Sequence, residues 1–514
     1  MTDSGSRRRS RHRGERSRLP EQRPFAQPRL HYAPTEVVSA DELEAIHHAS
    51  LRILTEIGMD FLDADARRLL AAAGATVGAD GHEQRVRFDP DMVVETVATC
   101  PSEFRLHSWN PERTLTIGGN ALAFGSVGSP PNIVDFDDVR RPGDRESYRV
   151  LLKLCQILNV VHFIGGYPVE PIDLHPSIRH LEAALDVLTL TDKVPHSYSL
   201  GAQRNRDVLE MVRITRQIDD ATLDREPSVF TVVNSSSPLR LDAPMLQGMV
   251  EYASRNQVVV MTPFTLSGAM APITLAGAVA QQNAEALAGM VFTQIVRPGA
   301  PVVYGGFTSN VDMQSGAPAF GTPEYVRTAM LGGQLARRYG VPYRSSNVSA
   351  SNVLDAQAAY ESVFSLWGAV MGGVNFLMHG AGWMEGGLSA SAAKLVLDAD
   401  LLGMVAALCE PIVVDEDTLA IEAIREVGPG GHFFGVEHTQ QRFRTAFHRP
   451  MISDWRNYET WAEAGRPDSA RRALELAHTF LSAYEQPAMD PAVAEELHAF
   501  VARRVAEGGI PTDY

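Results

Sequence analysis

The sequence predicts an α/β protein, a TIM-type (β/α)8 barrel with an N-terminal α+β cap and a C-terminal helical extension. Short apolar segments, "VVHFIGGYP", "HSYSLGA", "PSVFTVVNSSSP", "VVVMTPFTLSG", "PVVYGGFTS", "VPYRSSNVS" and "VNFLMHGAG", each run into Gly, Ser or Pro. They alternate with long Ala/Leu-rich stretches such as "ITLAGAVAQQNAEALAGMVFTQIV", the pattern of a parallel sheet buried on both faces. No GxGxxG opens a helix after a strand and no GxxxxGK[ST] occurs, so the nucleotide-binding α/β folds lose support. Seven strand–helix units can be placed, which suits a barrel; the eighth strand is not located.

The bulk numbers agree. A chain of 514 residues can bury a large core, and 45% hydrophobic with 21% charged residues is an ordinary globular balance. No run approaches the ~18 apolar residues of a membrane span. The formal charge of -16 disfavours nucleic acid and mildly favours cationic ligands. Cys100, Cys155 and Cys409 form no close pair, which fits a reducing, cytoplasmic setting rather than a disulfide framework or zinc site. Lysine occurs only at Lys153, Lys193 and Lys394, so a Schiff-base mechanism would have to use one of these.

Taken in order, residues 1–30 are rich in Arg, Ser and Pro and are expected to be a disordered basic tail; no apolar h-region follows the arginines, so export is not expected. Residues 31–145 read as a helical and β-containing cap. Its first helix shows Leu43, Ile46, Ser50, Leu51, Leu54 and Ile57 at helical spacing with Ser39 as N-cap; a second, "DADARRLLAAAG", ends at glycine; short strands such as "QRVRF" and "ALAFG" follow. Residues 146–410 form the barrel core. Residues 411–514 finish the barrel and add helices, with a charged, aromatic tail around "DWRNYETW" expected beside the barrel mouth.

In such barrels the active site lies at the C-terminal strand ends, and here those ends are mostly uncharged. They carry Tyr167, Tyr198, Asn234, Thr265, Phe307 through Asp312, Ser345 and Asn347, and His379 with Trp383 and Glu385. Such a set does not suggest a metal hydrolase, and His432 and His438 lack the helical spacing of a zincin pair. Aromatic faces at strand ends attract a quaternary ammonium, and Phe307, Tyr360 and Trp383 with one carboxylate, Glu385, would suit a methylated amine. Gly386 and Gly387 would let backbone approach a ligand.

Four stretches, "GGFTSNVDMQSGAPAFGTPE" (Gly305 to Glu324), "DAQAAYES" (Asp355 to Ser362), "HGAGWMEGGL" (His379 to Leu388) and "GPGGHFFGVEHT" (Gly428 to Thr439), resemble the trimethylamine methyltransferase superfamily, in the right order. The resemblance implies a TIM-type barrel and methyl transfer from an amine to the cobalt of a separate corrinoid (cobalamin) protein, with no metal bound by this chain. The trimethylamine enzymes carry pyrrolysine and this sequence has none, so the resemblance points to its quaternary-amine members, of the glycine betaine type. Together with the strand-end reading, it sets the expected substrate-binding residues as Phe307, Asp312, Asn347, Tyr360, His379, Trp383 and Glu385, names no catalytic residue, and leaves homo-oligomerisation and the exact amine open. A quaternary nitrogen leaves as a neutral amine, so the scarcity of titratable strand-end groups fits. The rivals are a non-catalytic betaine-binding protein and a different barrel lyase; the lyase would need clustered strand-end arginines, and only Arg344 sits there.

Overall fold

The computed structural model describes residues 19–511. Six strands form the central parallel sheet: β1 (Ala123–Ser126), β2 (Phe230–Val233), β3 (Val258–Met261), β4 (Val302–Gly305), β5 (Tyr343–Ser346) and β6 (Phe376–Ala381). Their spatial order is β1-β6-β5-β4-β3-β2. The sheet curls, and single parallel bridges, Gly125 to Phe163, Phe163 to Val194 and His196 to Phe230, lead from the β1 edge towards the β2 edge.

Burial on both faces explains the near-continuous apolar strands. Inside the curl, Phe163, Phe230 and Phe376 pack with Val258, Val260 and Val303. Phe163 stacks on Phe376 with centroids 4.0 Å apart and planes 8° from parallel. From below, an antiparallel hairpin of Glu103–Leu106 and Leu115–Gly118 adds Leu106, Leu115 and Ile117 to this inner core. Outside the curl a larger core joins the strands to the helices, of which Leu275–Val296 is buried along most of its length.

The sequence reading assigned the "ALAFG" segment to the cap, whereas the structure makes it β1, an edge strand of the central sheet. Alternation alone gave no sign that it would pair in parallel with β6, a segment some 250 residues away (Phe376 opposite Ala123). Ser39 closes a capping box with Glu42 on the Ala40–Arg52 helix, and Asp63 caps Ala64–Ala72. Met59–Phe61 pairs antiparallel with Arg85–Arg87 and parallel with Arg240–Leu241.

The expectation of a disordered tail over residues 1–30 does not hold for residues 22–30. Residues 1–18 lie outside the described residues, but from Gln22 onward the chain is docked: Gln22 Nε2 donates to Ile157 O at 3.0 Å, Gln27 exchanges two hydrogen bonds with Thr116 of the hairpin, and Leu30 is buried. The Ala392–Leu408 helix runs back from β6, so the segment after it starts at the end of the sheet away from the strand C-termini, where Tyr32 donates to Glu410 O. The Pro491–Ala506 helix then packs on Arg179–Leu190 and Ala202–Arg216. Among the described residues, no helix is long and apolar enough to cross a membrane.

Candidate active site

Beyond the ends of β3 and β4 the chain continues into a second parallel pair, Phe264–Ser267 with Phe307–Val311, which sets Phe264 directly opposite Phe307. Beyond β6, Trp383–Met384 pairs with Ser389–Ser391. These extensions bring aromatic rings together above the sheet. Phe307 lies 5.9 Å from Trp383, 5.5 Å from Phe320 and 5.1 Å from Phe264, centroid to centroid. His379 lies 4.3 Å from Trp383.

The aiming of His379 and Trp383 comes from an irregular backbone. The β6 register shifts between Leu377 and Ala381, and His379 sits there at φ 54°, in the left-handed region a non-glycine residue seldom occupies. Gly382 follows at φ 104°, its N–H held at 2.8 Å by Asp398. Asp398 is wholly buried with Lys394, whose ammonium reaches both carboxylate oxygens (2.5 and 2.7 Å) and Ser362 Oγ (2.8 Å). Gly387 must be glycine for packing: a Cβ there would meet the Trp383 ring at 2.5 Å.

The other component is Arg344. On β5, Tyr343 points outward, its hydroxyl donating to Ala329 O, so Arg344 and Ser346 point into the curl. Arg344 is 1% exposed, makes its hydrogen bond to Gly306 O at 3.2 Å, and sits 5.4 Å from the Phe307 centroid. Burial lowers its pKa to about 10, so it remains a cation at neutral pH. No carboxylate pairs with it among the described residues, although an unpaired buried charge is costly.

Several buried polar atoms near the strand ends make no hydrogen bond within the described protein: Arg344 Nε, Ser346 Oγ, Thr262 Oγ1, Trp383 Nε1 and both ring nitrogens of His196. Burial drives the His196 pKa down to about 3, and burial with the nearby Arg344 charge drives His379 well below its ordinary value, so both are neutral. Gly128 N–H donates to His379 Nδ1 at 3.3 Å, which leaves the ring proton to Nε2. A cavity of about 320 Å³ opens on the His196 side, lined by Tyr167, Glu170, Arg179, His180 and Tyr198; it does not include Phe307, Trp383 or Arg344.

Of the residues singled out from sequence, Phe307, His379 and Trp383 come together. Asn347 is buried beside them and donates to Gly380 O at 2.9 Å, supporting the irregular strand. Glu385 lies on the rim at φ 52°, its carboxylate bound by Arg140 at 2.7 Å and so tied to the Arg140–Pro142 strand rather than turned towards the rings. Asp312 and Tyr360 are not brought in. Asp312 is exposed and accepts from the Ser315 hydroxyl and the N–H groups of Gln314 and Ser315, closing a turn. Tyr360 is 60% exposed on the outer face of its helix. Arg344, Ser346 and His196 were missed as site residues; a lone arginine inside the apolar run "VPYRSSNVS" was the available signal.

The family described as trimethylamine methyltransferase (MTTB) matches residues 4–509, nearly the whole chain. The chain belongs to the trimethylamine methyltransferase family. Within it, the chain is 34% identical over 474 residues to a glycine betaine methyltransferase of Desulfitobacterium hafniense strain Y51, covering 92% of this chain and 98% of that one. It is 28% identical to the trimethylamine methyltransferase MttB of Desulfitobacterium hafniense strain DSM 10664 / DCB-2, over 92% of this chain and 94% of that one. Among solved structures, the monomethylamine methyltransferase MtmB of Methanosarcina barkeri superposes with a TM-score of 0.47 at 11% identity, over 87% of this chain and 94% of that one.

Proposed function

We propose that this family member takes a methyl group from a quaternary amine that also carries a carboxylate, of the glycine betaine class, and passes it to the cobalt of a corrinoid borne by a separate protein. On this reading the curled sheet is a (β/α)8 barrel, with the strand positions at Phe163 and at Val194 to His196 held by single bridges, and the substrate lies at its mouth. The observation that carries the proposal is Arg344, a buried cation with no carboxylate of its own beside the aromatic pair Phe307 and Trp383. A zwitterion answers both halves. Its carboxylate pairs with Arg344, assisted by Ser346, and its trimethylammonium lies against the ring faces, where cation–π attraction contributes about 0.5–2 kcal/mol.

The chain's part in the reaction is positioning. Fixing the carboxylate aims one N–methyl bond outward, and the acceptor cobalt supplies the nucleophile. The C–N bond breaks with its electron pair leaving on nitrogen, so the product amine is neutral and no proton is delivered. Neutral His379 and His196 suit this, because charged imidazoles would repel the ammonium. Holding a reactant in line lowers the barrier without any acid or base.

Calorimetry with glycine betaine, choline and tetramethylammonium tests the reading, alongside methyl transfer to reduced cobalamin. Glycine betaine is expected to bind most tightly and to be demethylated. The absence of heat with any carboxylated quaternary amine overturns it, and binding without transfer to any corrinoid acceptor leaves the betaine-binding protein as the answer.

A further inference from the structure

The stretch from Asp355 to Ser362, one of the four that carry the family resemblance, opens the Ala356–Met371 helix, with Asp355 accepting from Ala358 N–H as N-cap. Tyr360 faces out of the molecule, and its neighbour Glu361 is turned in, 6% exposed. The Glu361 carboxylate has no arginine, lysine or histidine partner among the described residues and is held by uncharged donors. One oxygen accepts from Ser349 Oγ at 2.9 Å, Ala350 N–H at 2.8 Å and Ser351 N–H at 3.2 Å, the other from Gln357 Nε2 at 2.8 Å. Three of the four donors lie on the loop that follows β5. A buried carboxylate is costly unless such bonds are made, so the bonds fix the loop that makes them.

That loop in turn holds the turn behind Trp383. Ser351 O accepts from Glu385 N–H at 2.9 Å and Ser349 O accepts from Gly386 N–H at 3.0 Å. Glu385 and Gly386 sit at φ 52° and 61°, a left-handed pair that brings Gly387 against the indole ring. Glu361 meets the rings by a second route. A Cβ on Gly321 would come within 2.6 Å of Glu361 Cα, so the turn after Phe320 lies directly on this residue, and Phe320 stands edge-on to Trp383 at 6.3 Å and to Phe307 at 5.5 Å. On the other side of Trp383, Gly382 N–H is held by Asp398.

We propose that Glu361 is the positioning residue for Trp383, fixing through the 349–351 loop the indole face on which the substrate's ammonium group rests. The part played in binding rests on the functional reading above; the placement of the indole does not. Ser349 and Ser351 each bond Glu361 and each accept from the turn behind Trp383, so a displaced carboxylate is felt at the turn through single residues. The left-handed conformation of Glu385 also has to be held from outside, because a non-glycine residue does not keep it unaided.

Calorimetry with glycine betaine, choline and tetramethylammonium on Glu361→Met, Glu361→Gln and Trp383→Ala, singly and combined, tests this. Glu361→Met keeps the volume and removes the acceptors. It is expected to weaken all three ligands by about five- to ten-fold and to leave the ratio of glycine betaine to choline affinity, set by Arg344, unchanged. Glu361→Gln keeps an acceptor for the loop once Gln357 turns its amide, and is expected to bind within about two-fold of the wild type. In the Trp383→Ala background, Glu361→Met is expected to weaken binding by less than about two-fold, since the ring it supports is gone. Should Glu361→Met fail to fold, Ser349→Ala removes one of the loop's bonds and is expected to act in the same direction by about two- to three-fold. A ligand-free readout is the emission of Trp383, taken as the difference between each protein and its Trp383→Phe counterpart; it is expected to shift to the red in Glu361→Met or Ser349→Ala and to stay in place in Glu361→Gln. A wild type that binds none of the three amines sinks the functional reading and leaves that emission to decide the proposal. Additive effects of Glu361→Met and Trp383→Ala, an effect confined to the carboxylated ligand, a Glu361→Gln variant as impaired as Glu361→Met, or an unshifted Trp383 emission each overturns it.

Discussion

Replacing Arg344 by methionine keeps most of its volume and removes its charge, so it separates the two halves of substrate recognition. Affinity for glycine betaine is expected to fall by about 2 kcal/mol, roughly thirty-fold, while choline, which lacks the carboxylate, binds as before. Trp383→Ala is expected to weaken both by about 1–2 kcal/mol. The pH dependence follows from the same group: betaine binding needs charged Arg344, whose pKa burial lowers to about 10, so affinity is expected to be flat near neutrality and lost as pH rises through about 10. Calorimetry across pH checks all three. His162 allows a separate test. Its Nδ1 accepts from Phe124 N–H at 2.9 Å and its Nε2 meets Ala26 O at 3.1 Å, which fixes it neutral, and burial lowers its pKa to about 3. The unfolded chain therefore binds the extra proton between pH 6.5 and 3, and stability from this residue is lost as pH falls through that window. Relative to His162→Gln, the wild type is expected to lose up to ~1.4 kcal/mol per pH unit below 6.5, measured by denaturant titration at several pH values.

At the scale of elements, the strand ends are shaped by the helix behind them. Lys394 and Asp398, one turn apart on Ala392–Leu408, are both inaccessible to solvent, and Asp398 holds the Gly382 N–H that follows the His379 irregularity. Burial raises the Asp398 pKa, and the Lys394 charge opposes this. Lys394→Met leaves that carboxylate buried without a countercharge, and a loss of about 3–5 kcal/mol is expected in chemical denaturation; adding Asp398→Leu is expected to restore much of it. A single-variant loss below ~1 kcal/mol would mean that the loop does not depend on the pair. The capping residue Ser39 was legible from sequence because a cap needs only residues within three positions. The role of "ALAFG" as β1 was not, because its partner on β6 is remote in the chain. Phe307, His379 and Trp383 were legible as strand-end aromatics in unusual glycine-rich stretches. Tyr360 shared that local signature, yet its helix turns it outward.

For the whole molecule, the N-terminal segment works as a strap across the inner end of the sheet. The Arg113 guanidinium lies 4.3 Å from the Phe25 centroid, Gln27 pairs with Thr116, and Leu30 N–H donates to Asn120 O at 2.8 Å. Removing residues 1–18 is expected to leave the melting temperature unchanged, whereas removing 1–30 is expected to lower it by more than about 5 °C, because strap and hairpin close the inner core together. Equal melting temperatures for the two truncations in calorimetry would show that the strap adds nothing.

The sequence by itself determined the α/β class, the parallel rhythm of strands, the Ser39 cap and, through its glycine-rich stretches, the family. These are properties of composition and of neighbours within a few residues. Only the tertiary structure decided that "ALAFG" joins the central sheet, that residues 22–30 are docked, that Asp312 and Tyr360 stand apart, and that Arg344 is a buried cation facing Phe307 with no carboxylate partner among the described residues. The reason is physical: burial and the lack of a countercharge depend on every segment that packs around a group, and a position in the sequence records only the residues beside it.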